Sequence, residues 1–191
     1  MGKYAAFFRN LNLGRANCPD KARFEAAFMA AGAQSAASFL TNGTLVFSAS
    51  TDASAHKVLL HARQTLHFSC GLREPAFMRR LDYLAELVAL DPFAQVPRDT
   101  VYECCVSFLS PELVGLAGPP PASARQDVEI LHFTDSEALS ISRVVGRSPG
   151  SPNAVLEKLF GLPATTRSRS TVARLVQKHV AQATHRSFGA G

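Results

Sequence analysis

Apolar and polar positions fall in short blocks along this chain, and the spacing changes at glycines and prolines. Residues 3–9, KYAAFFR, are a nearly continuous apolar run, with Tyr4, Ala6 and Phe8 facing one way and Ala5 and Phe7 the other. A strand apolar on both faces predicts a central position covered twice. After the polar loop NLNLGRANCPD, Phe24, Phe28 and Ala31 share one stripe. That spacing predicts a helix over 21–31, with Asp20 as cap and Gly32 as stop. SAASFL and TLVFSAS then flank Asn42-Gly43, a hairpin signal in which Asn42 is expected at positive φ. Val58, Ala62 and Leu66 mark a second helix over 54–69, ended by Gly71. REPAFMRRL reads as a strand, and Pro75, which cannot donate to a ladder, assigns it to a sheet edge. This β-α-β-β-α-β order is that of a ferredoxin-like split βαβ unit.

Leu81, Leu84 and Leu87/Val88 predict a helix over 81–90, stopped by Asp91-Pro92-Phe93. The second half predicts a strand in TVYECCVSFL (100–109) and a Pro-rich loop over 116–126. Strands follow in VEILHF and ALSISRVV around the turn TDSE, then helices over 152–160 and 171–183. The chain is expected to be α+β, with an N-terminal ferredoxin-like half packed against a C-terminal α+β half. Residues 1–80 form the first subdomain, 81–100 a connecting helix and linker, and 101–191 the second. Helices of a ferredoxin-like half cover one face of its sheet, so the other apolar face of the first strand is assigned to the second half or to a partner chain.

Composition narrows the class. The 191 residues are 47% hydrophobic and 18% charged, as in a globular protein. No run approaches the roughly 18 apolar residues of a membrane span, and the start carries neither a signal-peptide cleavage site nor a lipidation motif. A cytoplasmic protein with no membrane partner is expected. Cys18, Cys70, Cys104 and Cys105 lack C-x-x-C spacing, and the adjacent Cys104 and Cys105 read as packing residues on opposite strand faces. His56, His61 and His67 are spread around one helix by spacings of five and six, which does not make a metal pair. His132 lies in a strand, and His179 and His185 sit among basic residues. No nucleophile elbow, P-loop or dinucleotide fingerprint is present, so no catalytic residue, metal or cofactor is expected. Asp91 before Pro92 reads as a turn former.

Charge is uneven. From Arg143 onward the chain holds eight Lys/Arg and one acidic residue, Glu157, a net of +7; the preceding residues hold twelve against fourteen, a net of −2. That asymmetry points either to an anionic partner or to a solvated basic helix face. Two polar clusters are candidates. The first follows the first strand: Arg9, Asn10, Asn12, Gly14, Arg15 and Asn17, an anion loop or a set of turns and caps. The second is Thr165, Thr166, Arg167, Arg169, Ser170 and Thr171, read as a loop entering the final helix with Ser170 or Thr171 as its cap. Arginines at a positive helix end favour a bound anion; the alternative is that Arg167 pairs with Glu157.

These stretches resemble one family. YAAFFRNLNLGRAN is similar to the opening Y-x-A-L-L-R-G-I-N-V-G-G-x-N of the uncharacterised, mainly bacterial family called domain of unknown function 1697. FLTNGTLVF resembles its hairpin, DPF its N-P-F, and LEKLFGLPATTRSRSTVARL its C-terminal L-E-x-x-L-G-x-x-A-T-T-R-N-W-N-T-V-x-K-L. The resemblance implies an α+β fold with a ferredoxin-like N-terminal part and no established activity. This chain departs from it at Arg15, at Asn42-Gly43-Thr44, and at Arg169, where the family carries an aromatic residue.

The expectation is a binding protein for a phosphate-bearing ligand, nucleic acid or nucleotide, held by the 9–17 and 165–171 loops. The alternatives are an enzyme acting on a phosphorylated small molecule at the same site, and a structural or oligomerisation module.

Overall fold

A computed structural model describes residues 1–113, 123 and 125–186, and side chains as far as His179. Most of the expected 116–126 loop and the side chain of His185 lie outside the described residues. The chain divides into two compact units, Met1–Leu84 and Ala85–Gly191.

The first unit holds β1 (Gly2–Phe8), α1 (Lys21–Ala30), β2 (Ser35–Phe39), β3 (Thr44–Ala49), α2 (Asp52–Cys70) and β4 (Ala76–Arg80), followed by the start of α3 (Leu81–Leu90). Its antiparallel sheet has the order β2-β3-β1-β4. The apolar β1 is paired on both sides, with β3 and β4, and β4 is an edge strand just after Pro75, as the sequence predicts. Asp20 caps α1 through Arg23 N–H, and Gly71 closes α2 in the left-handed conformation. Phe8, Phe24, Phe28 and Phe47 meet edge-to-face or tilted at 5.2–6.2 Å between ring centres, a geometry that adds to plain burial. Ala5 and Phe7, on the opposite face of β1, are also fully buried.

The hairpin differs from expectation. Its loop is Leu40–Gly43, and the positive φ values belong to Leu40 (61°) and Gly43 (69°), not to Asn42. Asn42 instead accepts a hydrogen bond from Thr44 Oγ1 at 2.9 Å. Glycine is required at 43 on a second count: a Cβ there would lie 2.7 Å from Leu11 Cβ. The hairpin thereby braces the polar loop that follows β1, since Phe8 N donates to Gly43 O and Leu13 N to Thr41 O.

The second unit holds β5 (Glu103–Leu109), β6 (Val128–Phe133), β7 (Glu137–Ser142), a short hairpin of β8 (Val144–Val145) and β9 (Ser148–Pro149), α4 (Pro152–Phe160), β10 (Ala164–Ser168) and α5 (Arg169–Arg186). Its sheet is antiparallel in the order β10-β5-β7-β6. Leu156 of α4 packs with Leu109, Leu113, Ala138 and Ala164, and Val172 and Leu175 of α5 are fully buried. Two features depart from the sequence reading. The strand ending in ALSISRVV breaks at Arg143, and Val144–Val145 turn into a separate hairpin. The stretch 164–168, read as part of a loop, is strand β10, paired with β5 from Ala164↔Leu109 to Ser168↔Cys105.

Candidate functional site

The hydroxyl-rich stretch before α5 is consumed largely by local structure. Alternation along β10 buries Thr165 and Arg167 and leaves Thr166 and Ser168 half-buried. Thr166 Oγ1 shares a hydrogen bond with Ser107 Oγ of β5 at 2.8 Å. Arg167 is 8% exposed; its Nη1 donates to Thr165 Oγ1 and to Thr166 O, each at 2.9 Å. Burial pulls its guanidinium down to about 10. Glu157, the acid considered as its partner, accepts from Ala164 N at 3.0 Å. The helix cap is Ser168, whose Oγ accepts from Thr171 N at 3.2 Å; Ser170 and Thr171, expected as caps, bond back to that same hydroxyl.

Arg169 stands apart. It opens α5, and its Nη2 lies 3.0 Å from Asp91 Oδ1 with both side chains partly open to solvent. Its guanidinium carbon sits 5.9 Å from the centre of the Phe93 ring, in cation–π range. Asp91 is therefore more than a turn former. It takes φ of 36° at the end of α3, and that turn, closed by Ala94 N to Asp91 O at 3.2 Å, presents Asp91 and Phe93 to the arginine. These residues line a cleft of about 390 Å³ together with Arg98, Tyr102, Cys104, Ser168 and Ser170. Tyr102 is 62% exposed, a large aromatic surface on the cleft. Desolvation raises the Cys104 thiol, which works against thiolate formation there.

The 9–17 cluster belongs to the first unit and is described there alone. Arg9 Nη1 pairs with Glu74 Oε2 at 2.8 Å, and its backbone N–H donates to Pro75 O. Asn10 (φ 50°), Gly14 (φ 79°) and Asn17 (φ 58°) supply left-handed turns, the use Asn and Gly serve best. Asn10, Asn12, Gly14, Arg15 and Asn17 are exposed.

A third cluster escaped the sequence reading. Tyr4, 1% exposed on β1, donates from its hydroxyl to Asp52 Oδ1 at 2.6 Å. Arg80 Nη1 reaches the same oxygen at 2.9 Å, Arg80 Nη2 reaches Asp82 Oδ2 at 2.6 Å, and the guanidinium lies 5.9 Å from the Tyr4 ring centre. Desolvation and the Asp52 carboxylate raise the Tyr4 hydroxyl, while Tyr4 and Arg80 lower Asp52, and Arg80 lowers Asp82. Tyr4, Asp52 and Arg80 open on a polar hollow with Ser50 and Thr51. The four residues are scattered in sequence, and no spacing announced them. Among the described residues, no group of three or more His, Cys, Asp or Glu is placed to hold a metal ion, and no helix is long and apolar enough to cross a membrane.

Fold and cleft together define an α+β protein of two compact units, the second carrying a charged cleft at the start of its last helix. The chain belongs to the family described as protein of unknown function (DUF1697), matched over residues 1–138. Asp91, Phe93, Arg98, Tyr102 and Cys104 fall inside that match, whereas Ser168, Arg169 and Ser170 lie beyond it. Among solved structures it is similar to the conserved bacterial protein SP0830 from Streptococcus pneumoniae, at 16% identity and a TM-score of 0.59, over 92% of this chain and 97% of that one. That likeness concerns the fold. No curated protein matches the chain.

Proposed function

We propose that this protein binds a small phosphate-bearing ligand, of the nucleotide class, in the cleft at the start of α5. One observation carries the reading: Arg98 and Arg169 line a cleft of about 390 Å³ whose other walls include Phe93 and Tyr102. That volume is in the range of small-molecule sites, roughly 300–1,000 Å³, rather than of an extended groove. Arginine offers a planar fork of donors to phosphate oxygens, and an open aromatic surface suits a planar base. Desolvation raises the Cys104 thiol, which counts against a cysteine nucleophile in this cleft. A thermal-shift screen against nucleotides, phosphosugars and short oligonucleotides tests the reading. Stabilisation by mononucleotides that is lost in Arg169→Ala supports it. Stabilisation by oligonucleotides alone replaces it with a nucleic-acid surface.

A further inference from the structure

We propose that Asp91 is a built-in competitor for the anion in this cleft: its carboxylate contends with the ligand for Arg169, so that the cleft admits phosphates of charge −2 or more and rejects singly charged carboxylates. The inference rests on the reading of the cleft above and adds its selectivity.

The turn at the end of α3 needs a residue that tolerates φ of 36°, a demand that Asn or Gly meets as well as Asp. The turn therefore does not account for the negative charge. That charge is spent on Arg169, 3.0 Å away. With side chains 32% and 40% exposed, the pair is screened by water and weak enough for a better anion to replace. Phe93 holds the guanidinium by its face while Asp91 holds it by an edge. Loss of the Asp91 contact thus leaves Arg169 aimed into the cleft, with its donor edge released. A carboxylate ligand brings the same single charge that Asp91 already supplies and gains nothing by exchange. A phosphate of higher charge gains from Arg169 and from Arg98, which shares the cleft, against the charge of Glu103, which also lines it.

The test is calorimetric titration of inorganic pyrophosphate into the full chain and into Asp91→Asn, Arg169→Ala and the double variant. Asp91→Asn is expected to bind about three- to tenfold more tightly than the parent, Arg169→Ala about tenfold more weakly, and the gain from Asp91→Asn is expected to vanish without Arg169. Binding by Asp91→Asn where the parent shows none also supports the competitor role. Equal or weaker binding by Asp91→Asn, with Arg169→Ala still impaired, overturns that role and leaves the cleft reading standing. No binding by any form overturns both. Asp91→Gly, which also accepts a left-handed backbone, is titrated alongside and answers the question if Asp91→Asn misfolds.

Discussion

The loop Arg9–Asn17 and the stretch Ala164–Thr171 look alike in sequence, each with two arginines among small polar residues, yet the fold spends them differently. In the first, Asn10, Gly14 and Asn17 bend the backbone and Arg9 is tied to Glu74. In the second, threonines and Ser168 serve a sheet and a helix cap, Arg167 is buried, and Arg169 opens on a cleft beside Asp91 and Phe93. Polar richness therefore marks no site by itself. What distinguishes Arg169 is where the strand stops: Arg167 lies buried in β10, while Arg169, two residues on, is the first residue past the strand's end.

The largest effect on this comparison is expected from Gly43→Val, which removes the brace under the first loop. A β-branched residue at φ of 69° and a Cβ 2.7 Å from Leu11 should together cost about 2–4 kcal/mol, read by urea unfolding. A variant as stable as the parent would detach the loop from the hairpin.

Next comes Arg167→Ala. Loss of the hydrogen bonds of this buried cation, those to Thr165 and Thr166 among them, should cost about 2 kcal/mol in the absence of any ligand. Arg169→Ala should cost under about 1 kcal/mol, because its pair with Asp91 is solvent-screened. Equal losses in equilibrium unfolding would erase the distinction between the two arginines.

Tyr4→Phe should cost about 1 kcal/mol by removing the hydrogen bond to Asp52. The same network sets the pH response. Asp52 and Asp82 lie below the ordinary carboxylate value, so the stability they contribute is present above about pH 4 and is lost as the pH falls. Tyr4 lies above its ordinary value, so its share is present below about pH 10 and is lost as the pH rises. Arg80→Met should flatten the acid limb of a plot of melting temperature against pH; an unchanged limb would place the acid sensitivity elsewhere.

The fold was legible where the pattern was strong. The two-faced β1, Pro75 ahead of the edge strand, and Asp20 and Gly71 at helix ends each follow from one local rule. β10 was not, because its Thr-Thr-Arg-Ser carries no apolar alternation, and its partner β5 lies 55 to 63 residues earlier in the sequence. Of the candidate site, the sequence supplied Arg169 and Ser170 but not their surroundings. Asp91-Pro92-Phe93 read as a helix stop, and its second use depends on where the fold brings Arg169. The Tyr4–Asp52–Arg80–Asp82 network left no trace for the same reason.

The most direct test of the cleft is a nuclear magnetic resonance titration of the labelled full chain with ADP. The account predicts amide shifts concentrated at residues 91–104 and 168–170, with Arg9–Asn17 and the Tyr4–Asp52–Arg80 hollow unmoved. Shifts gathered at residues 9–17 or around Arg80, or no shifts at millimolar ADP, would contradict it.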